Sequence, residues 1–268
     1  MLVHGSTRVT FIIGHPIAQV SSPTLFNRRF EDLGLDSVMI PADIASEQLA
    51  LFLPLLRSWD NADGCVVTIP HKRAVVEHLD ELTERAQRLQ AVNVIRRMPD
   101  GWLTGDNVDG LGFLNAAGAH GFDPKGRSAL VTGCGGAGSA IADALCDSGI
   151  RCLTVTDVDP ERAAWLTGVL GAAFPSVALA VSVDDDLSRF DLVANASPVG
   201  MGGPDELPIP ASAIATIRAD ALVADVVTKP AMTLFLQLAQ QGGRVVQQGP
   251  ETAAGQTELL GRFMRCLP

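Results

Sequence analysis

The sequence contains no tyrosine, and aromatic residues make up only 5% of its 268 positions. Basic residues are also scarce, because 20 Lys and Arg stand against 30 Asp and Glu, and the formal net charge is −10. The average field of such a protein repels a polyanion, so we expect no nucleic-acid partner. A small anionic ligand is not excluded, since local hydrogen-bond donors can outweigh the global charge.

Long apolar runs are absent as well, and none approaches the roughly 20 residues that cross a bilayer. The first 16 residues carry no basic region ahead of a long apolar segment, so no secretion signal is predicted. The five cysteines are odd in number and form no Cys-x-x-Cys pair. This pattern, with scattered histidines, favours reduced thiols over disulfides or a metal site. We therefore expect a cytoplasmic globular protein without membrane contact and without a metal.

What the sequence does contain is a regular alternation of apolar segments of strand length and helix length. The hydrophobic fraction of 47% is sufficient for a large core. The alternation predicts an α/β fold with mostly parallel sheets covered by helices. Strands are expected at 10–13, 37–41, 64–69, 91–97 and 102–104, and helices at 22–33, 46–59 and over 72–89. Ser22 is the predicted N-cap of the first helix, and Pro23 follows it.

The clearest segment spans residues 126–157 and predicts one complete βαβ unit. A strand at 128–132 leads into the tight turn Gly133-Cys-Gly-Gly-Ala-Gly138, which opens a helix at 139–147. The next strand, 152–156, ends on Asp157. Further strands are expected at 179–183, 192–195, 222–225 and 244–246.

The turn fits the pattern G-x-G-x-x-G between a strand and a helix, which is the context for binding the pyrophosphate of a dinucleotide. Asp157 lies where a carboxylate accepts hydrogen bonds from ribose hydroxyls; the alternative is that it caps the turn Asp157-Val-Asp-Pro160. A carboxylate there repels a 2′-phosphate, and no Arg occupies the next three positions. We therefore expect NAD in preference to NADP. The expected cofactor contacts are Gly133, Gly135, Gly136, Ala137, Gly138 and Asp157.

Several short motifs occur in a fixed order along the chain. Gly14-His-Pro-Ile-Ala-Gln-Val-Ser-Ser-Pro23 is similar to G-x-P-I-x-x-S-x-S-P, and Val67-Thr-Ile-Pro-His-Lys72 to V-T-x-P-x-K. Residues 91–93 match A-x-N, residues 105–110 are similar to G-x-N-T-D-G, and Asn195-Ala-Ser-Pro-Val-Gly-Met201 resembles N-A-T/S-x-x-G-M. Together they make the chain resemble the shikimate dehydrogenase family, including quinate/shikimate dehydrogenases, over nearly its whole length.

The resemblance implies two domains with an active-site cleft between them. An N-terminal α/β substrate-binding domain would cover 1–108, completed by a C-terminal helix at 247–268, and a Rossmann dinucleotide-binding domain would cover 109–246. The implied catalytic pair is Lys72 with Asp109. The implied substrate contacts are Ser22, Thr68, Lys72, Asn93, Asp109 and Gln256, and further cofactor contacts are Asn195, Ala196, Ser197 and Met201.

The catalytic pair also makes chemical sense. Oxidation of a secondary alcohol needs a proton acceptor at the hydroxyl while hydride leaves to nicotinamide, and a positioned lysine can serve. Asp109 could orient the Lys72 amine through a charge-assisted hydrogen bond. From the residues alone, a surface lysine and a solvated aspartate remain the alternative. His15 and His71 lack a nucleophile partner and are expected to play supporting roles at most.

Three positions depart from the family pattern, and all bear on the substrate. Val20 replaces the first serine of S-x-S, Val66 replaces an asparagine, and Thr228 replaces the tyrosine of D-x-V-Y-x-P. In the family, the paired serines and the tyrosine gather at the substrate carboxylate. Since a hydrogen bond to a charged group contributes about 1.5–3 kcal/mol, we expect weak binding of shikimate itself.

The expected function is therefore an NAD-preferring oxidoreductase that acts on a ring secondary alcohol of a hydroaromatic acid related to shikimate or quinate, as a monomer or homodimer. One alternative is a biosynthetic, NADP-dependent shikimate dehydrogenase that reduces 3-dehydroshikimate for aromatic amino acid biosynthesis. A second alternative is a non-catalytic ligand sensor on the same fold.

Overall fold

The computed structural model describes residues 2–182, 184–203 and 206–268. They form two compact units, one containing the chain up to Val108 together with Gln256–Pro268, and one containing Asp109–Gly255. Residues 247–255, which the sequence assigned to the first domain, thus belong to the second unit. The reason is local packing, because the Gln247 Nε2 donates to the Phe113 carbonyl at 3.3 Å. The Asn115 Nδ2 likewise donates to the Gly255 carbonyl at 3.2 Å.

The first unit is built on one mixed sheet with the strand order β2–β1–β3–β5–β6–β4. Its strands are β1 (Arg8–Gly14), β2 (Ser37–Asp43), β3 (Ala62–Val67), β4 (Glu81–Leu82), β5 (Val94–Arg97) and β6 (Leu103–Asp106), and its helices are α1 (Ser22–Asp32), α2 (Leu49–Arg57) and α3 (Glu84–Leu89). Strand β1 is parallel to β2 and β3, whereas β5 is antiparallel to both β3 and β6. The prediction of mostly parallel strands therefore fails at β5, which is antiparallel to both of its neighbours. Strands β5 and β6 are joined by a short turn, and such a turn permits only antiparallel pairing between them.

Two helix boundaries in the first unit differ from the predicted ones. Helix α1 already includes Ser22, so Ser21 occupies the cap position, without a side-chain capping bond. Between 72 and 89 the chain forms a short 3₁₀ turn and strand β4 before α3 begins. Thr83 explains that late start, because its side chain caps α3 by accepting from the Ala86 amide.

The second unit contains a sheet with the order β12–β11–β10–β7–β8–β9, parallel throughout. This is the strand order of dinucleotide-binding folds. Its elements are α4 (Asp109–Ala119), β7 (Ser128–Thr132), α5 (Gly136–Asp147), β8 (Cys152–Thr156), α6 (Pro160–Ala173), β9 (Ala178–Ala180), β10 (Leu192–Asn195), α7 (Ala211–Thr216), β11 (Leu222–Asp225), α8 (Leu234–Gln241), β12 (Val245–Gln247) and α9 (Gly249–Met264). Helix α9 continues across the boundary into the first unit. The predicted strand at 179–183 is the shorter β9, and Val183 lies outside the described residues.

Side chains of β7 alternate between two cores, which is why this strand is continuously apolar. Ala129 and Val131 pack with residues of α4 and α5, whereas Leu130 packs with residues of α7 and α8. The sheet is thus covered on both faces, as parallel sheets require. In such folds the crevice for a ligand lies at the carboxyl ends of the strands where the order reverses, here between β7 and β10. Within the described ranges, no helix is long and apolar enough to cross a membrane.

Candidate active site

The four glycines of the turn after β7 differ in how tightly the structure surrounds them. Gly133 has φ +94°, and Gly138 lies so close to it that an added Cβ would be 1.7 Å from the Gly133 carbonyl oxygen. At Gly135 and Gly136 an added Cβ meets nothing within 4 Å. The first and last glycines are therefore required by the backbone, while the two middle glycines border open space at the start of α5.

A cavity of about 460 Å³ lies beside this turn at the carboxyl ends of β7, β8 and β10. Its size is in the usual range for small-molecule and cofactor sites. Five predicted cofactor residues line it: Gly133, Gly135, Asp157, Ala196 and Ser197. The sequence prediction missed the other lining residues, which are Thr132, Thr156, Val158, Arg162, Pro198, Val199 and Pro208.

The remaining predicted cofactor residues do not line the cavity. Gly136, Ala137 and Gly138 form the first turn of α5, where backbone amides are the expected ligands for an anion. Asn195 is 0% exposed, so its amide contacts only protein. Met201, by contrast, is 58% exposed in the turn that follows Ser197.

Asp157 is engaged by the backbone on both of its oxygens. Its Oδ2 accepts from the Cys134 amide at 2.6 Å, and its Oδ1 accepts from the Asp159 amide at 2.9 Å. The carboxylate thus ties the glycine turn to the end of β8 and caps the turn that leads into α6. This is the turn-capping role that the sequence left open as an alternative.

Arg162 supplies the positive charge that the sequence prediction overlooked. It lies five residues after Asp157, in α6, just beyond the three positions considered there, and it lines the cavity. Its Nε is 3.3 Å from the Asp159 Oδ2, and its side chain is 62% exposed. An exposed guanidinium at the rim can rearrange to meet a phosphate, for which its planar geometry is suited.

Three of the predicted substrate residues, Thr68, Lys72 and Asn93, lie near the carboxyl ends of β1 and β3. The Thr68 amide donates to the Ile13 carbonyl at 2.9 Å, which joins the segment after β3 to β1. The Lys72 carbonyl accepts from the Val92 amide at 2.7 Å. Since Asn93 follows Val92 directly, the backbones of Thr68, Lys72 and Asn93 come together at one edge of the sheet.

The side chains of the predicted substrate residues differ in whether they already form hydrogen bonds within the protein. Asn93 is 2% exposed, and its Oδ1 accepts from the Val108 amide at 2.9 Å. Ser22, Thr68 and Gln256 are each half-buried, and within the described part of the chain their side chains form no hydrogen bond. Such half-buried donors are suited to a polar ligand. Asp109 belongs to the second unit, where it is the first residue of α4.

Both candidate histidines have structural contacts. His71 is 0% exposed, and its Nε2 lies 2.6 Å from the Ile44 carbonyl oxygen, which fixes the segment that carries Lys72. His15 pairs with Asp43 at 2.8 Å on the surface. Of the three departures from the family pattern, Val66 is buried in β3, Val20 is half-buried, and Thr228 is exposed.

Comparison with known proteins decides the family. The sequence model of the protein family described as "Shikimate dehydrogenase substrate binding domain" matches residues 12–95. The chain is 36% identical over 98% of its length to the shikimate dehydrogenase (NADP(+)) of Geobacter sp. strain M21, covering 91% of that protein. The chain belongs to the shikimate dehydrogenase family. It is accordingly an oxidoreductase of that kind.

Solved structures agree with this placement. Shikimate 5-dehydrogenase from Thermus thermophilus, in complex with NADP(H) and shikimate, is 33% identical with a TM-score of 0.87, and the match covers 97% of this chain and 94% of that one. A 5-ketofructose reductase of Gluconobacter sp. strain CHM43 is 26% identical, also with a TM-score of 0.87, and the match covers 96% and 92% of the two chains.

These relatives overturn the expected cofactor preference. The prediction that NAD is preferred to NADP is wrong, because the relatives are named for NADP(+) and the Thermus enzyme binds NADP(H) in its structure. Two features of this chain were left out of that prediction. The Asp157 carboxylate is engaged in holding the turn, and Arg162 offers a cation at the cavity.

Proposed function

We propose that this enzyme interconverts shikimate and 3-dehydroshikimate with NADP(H). The observation that carries the proposal is the sheet edge of the first unit, where Thr68, Lys72 and Asn93 come together within the segment matched by the substrate-binding family model. The relatives named as shikimate dehydrogenases favour this function over the quinate-like one expected from the sequence.

The first unit would bind the substrate and the second unit would bind the cofactor. The glycine turn fits a dinucleotide, because Gly135 and Gly136 leave room beside the amides that open α5. Arg162 would contact the 2′-phosphate, and Ala196 and Ser197 would form a wall of the site. NADP⁺, when bound, supplies the hydride acceptor for alcohol oxidation.

Lys72 would take the proton from the reacting substrate hydroxyl during oxidation and return it during reduction. Asp109 would hold the Lys72 amine in position through a charge-assisted hydrogen bond. Ser22, Thr68, Asn93 and Gln256 would bind the other polar groups of the ring.

A polyhydroxy ketone without a carboxylate is a second candidate substrate. Val20 and Thr228 stand where the family pattern has hydroxyls for the carboxylate. The similarity to a 5-ketofructose reductase supports the same class of substrate. In that case Lys72 would give a proton to the ketone oxygen while bound NADPH supplies the hydride, and the differing end of the pocket would bind no anion.

Steady-state kinetics would separate these possibilities. Oxidation of shikimate and quinate would be measured with NADP⁺ and NAD⁺, and reduction of 5-ketofructose with NADPH and NADH. We expect the highest kcat/KM for shikimate with NADP⁺. A higher kcat/KM for 5-ketofructose with NADPH would replace the first candidate by the second. No turnover with any of these substrates, in a protein that binds NADP⁺, would contradict both.

The cofactor contact can be tested separately. Arg162→Ala should raise KM for NADP⁺ about tenfold, the equivalent of ~1.4 kcal/mol, because a charge-assisted contact to the phosphate is lost. Arg151→Ala is the matched control, since Arg151 is exposed at the opposite end of β8. Equal KM values for NADP⁺ in the wild type and Arg162→Ala would remove Arg162 from the cofactor site.

A further inference from the structure

A chain of buried polar side chains lies beneath the wall of the cofactor cavity. Asn195 ends β10 and Asp225 ends β11, and the two residues are paired neighbours in the parallel sheet. Both are 0% exposed. The Asn195 Nδ2 donates to the Asp225 Oδ1 at 3.1 Å, so the two strand ends are joined by side chains as well as by the sheet.

The Asn195 amide also holds the turn that lines the cavity. Its Nδ2 donates to the Val199 carbonyl at 3.1 Å, and its Oδ1 accepts from the Ser197 amide at 3.1 Å and from the Ser197 hydroxyl at 2.7 Å. Ser197 and Val199 both line the cavity. The turn therefore depends on which way the amide of Asn195 faces.

Asp225 helps to fix that orientation, together with the Val199 carbonyl and the Ser197 amide. An ionised carboxylate can only accept hydrogen bonds, so it binds the amino side of Asn195 and leaves the carbonyl side for Ser197. A flipped amide would place two acceptors together at Asp225 and two donors together at Ser197. Burial raises the pKa of the Asp225 carboxyl, but hydrogen bonds from the Val227 amide at 2.9 Å and the Thr233 hydroxyl at 2.7 Å support its charge.

We propose that Asp225 is a positioning residue for the cofactor, acting through Asn195 to hold the segment from Ser197 to Val199 in its binding conformation. It touches neither cofactor nor substrate itself, because its contacts are internal and it is fully buried. The inference rests on the proposed cofactor site of the second unit.

The decisive measurement is the Kd for NADPH, obtained by fluorescence titration of the purified full-length chain without substrate. We expect Asp225→Ala and Asn195→Ala each to raise this Kd at least about tenfold, or ~1.4 kcal/mol. Because Asp225 acts through Asn195, the double variant should bind no more weakly than Asn195→Ala alone, whereas independent effects would add. Asp225→Asn should stay within about threefold of the wild type, because the Thr233 hydroxyl can turn from donor to acceptor.

Asp191→Ala is the matched control, because Asp191 precedes the same strand β10 at its opposite end. It is 9% exposed and accepts from the Ser128 amide at 2.8 Å and the Ser128 hydroxyl at 2.9 Å. We expect this variant to lower the melting temperature while leaving the Kd for NADPH unchanged. An equal rise in Kd for Asp191→Ala would show a general loss of stability and would overturn the inference.

Two further outcomes are distinct. If the wild type binds NADPH and Asp225→Ala binds it equally well, the inference fails while the proposed function stands. If the wild type binds neither NADPH nor NADP⁺, the proposed function fails and the inference with it. Should Asp225→Ala not fold, Asn195→Ala still removes the link while Asp225 keeps Thr233 and Val227, and an unchanged Kd in that variant overturns the inference.

Discussion

Replacing Gly138 and Gly135 separately by alanine should separate folding from cofactor binding within one turn. At Gly138 an added Cβ would lie 1.7 Å from the Gly133 carbonyl oxygen, so the backbone must move by more than about 1 Å to reach the shortest contacts that occur. Overpacking of this kind costs roughly 1–3 kcal/mol or more. For a protein of this size each kcal/mol corresponds to about 2–4 °C in melting temperature, so Gly138→Ala should melt roughly 2–12 °C lower.

Gly135→Ala should behave in the opposite way. Its φ of −75° and ψ of −165° are open to alanine, and its added Cβ meets nothing within 4 Å. The melting temperature should therefore stay within about 2 °C of the wild type or rise slightly, because alanine restricts the unfolded chain. The methyl group would occupy the space where the pyrophosphate approaches, so the Kd for NADPH should rise at least about tenfold.

Differential scanning calorimetry and fluorescence titration with NADPH measure the two effects on the same samples. A large loss of stability in Gly135→Ala would show that this glycine is needed by the fold. Unchanged NADPH affinity in a stable Gly135→Ala would refute the assignment of the space beside it to the pyrophosphate. A Gly138→Ala variant as stable as the wild type would refute the packing argument.

Three other substitutions test separate parts of the protein. Lys72→Ala should lower kcat for shikimate oxidation roughly 10²–10⁴-fold if Lys72 transfers the proton; near-normal turnover would exclude that role. Gly110→Ala should destabilise the contact of α4 with α5 by about 1–3 kcal/mol in denaturant unfolding, because its Cβ would lie 2.0 Å from the Ala140 carbonyl oxygen. The third substitution is Asp80→Asn. The Asp80 carboxylate accepts a hydrogen bond from the Arg57 side chain and another from the Leu103 amide at 2.7 Å, and these bonds hold the pKa of the Asp80 carboxyl below its usual 3.8. The resulting stabilisation is present above about pH 4 and lost as pH falls through the folded pKa, so Asp80→Asn should be less stable than the wild type at pH 7, with a difference that shrinks towards pH 3 in urea unfolding.

The second unit was the more predictable part of the fold, because its signals are local. Strand β7 is followed directly by the turn from Gly133 to Gly138 and by helix α5. The positive φ at Gly133 favours glycine, which can be read from the sequence. Ala196 and Ser197, which the ordered motifs predict as cofactor contacts, line the cavity. Patterns of this kind specify short-range geometry well.

The first unit contained more errors, because its structure depends on pairing between distant segments. The apolar pattern of β5 does not reveal that this strand is antiparallel to β3, since buried strands of either direction are equally apolar. Likewise, the helical spacing after Lys72 does not reveal strand β4, which exists only through its pairing with β6. At both places, pairing with a distant strand decided the local structure, and the local sequence pattern did not.

The wrong cofactor preference has a similar physical origin. Asp157 has the residue type and the position that would suit a ribose, and nothing nearby in the sequence indicates that the Cys134 amide, 23 residues earlier, already binds it. The charge of Asp157 alone therefore does not reveal its role, because its oxygens also hold the turn that leads into α6. What a phosphate meets at this rim depends on Arg162 as well, and its place beside the cavity follows from where α6 begins. The charge that a phosphate meets at this cavity is thus set by two lining residues, Asp157 and Arg162, and not by the Asp157 carboxylate alone.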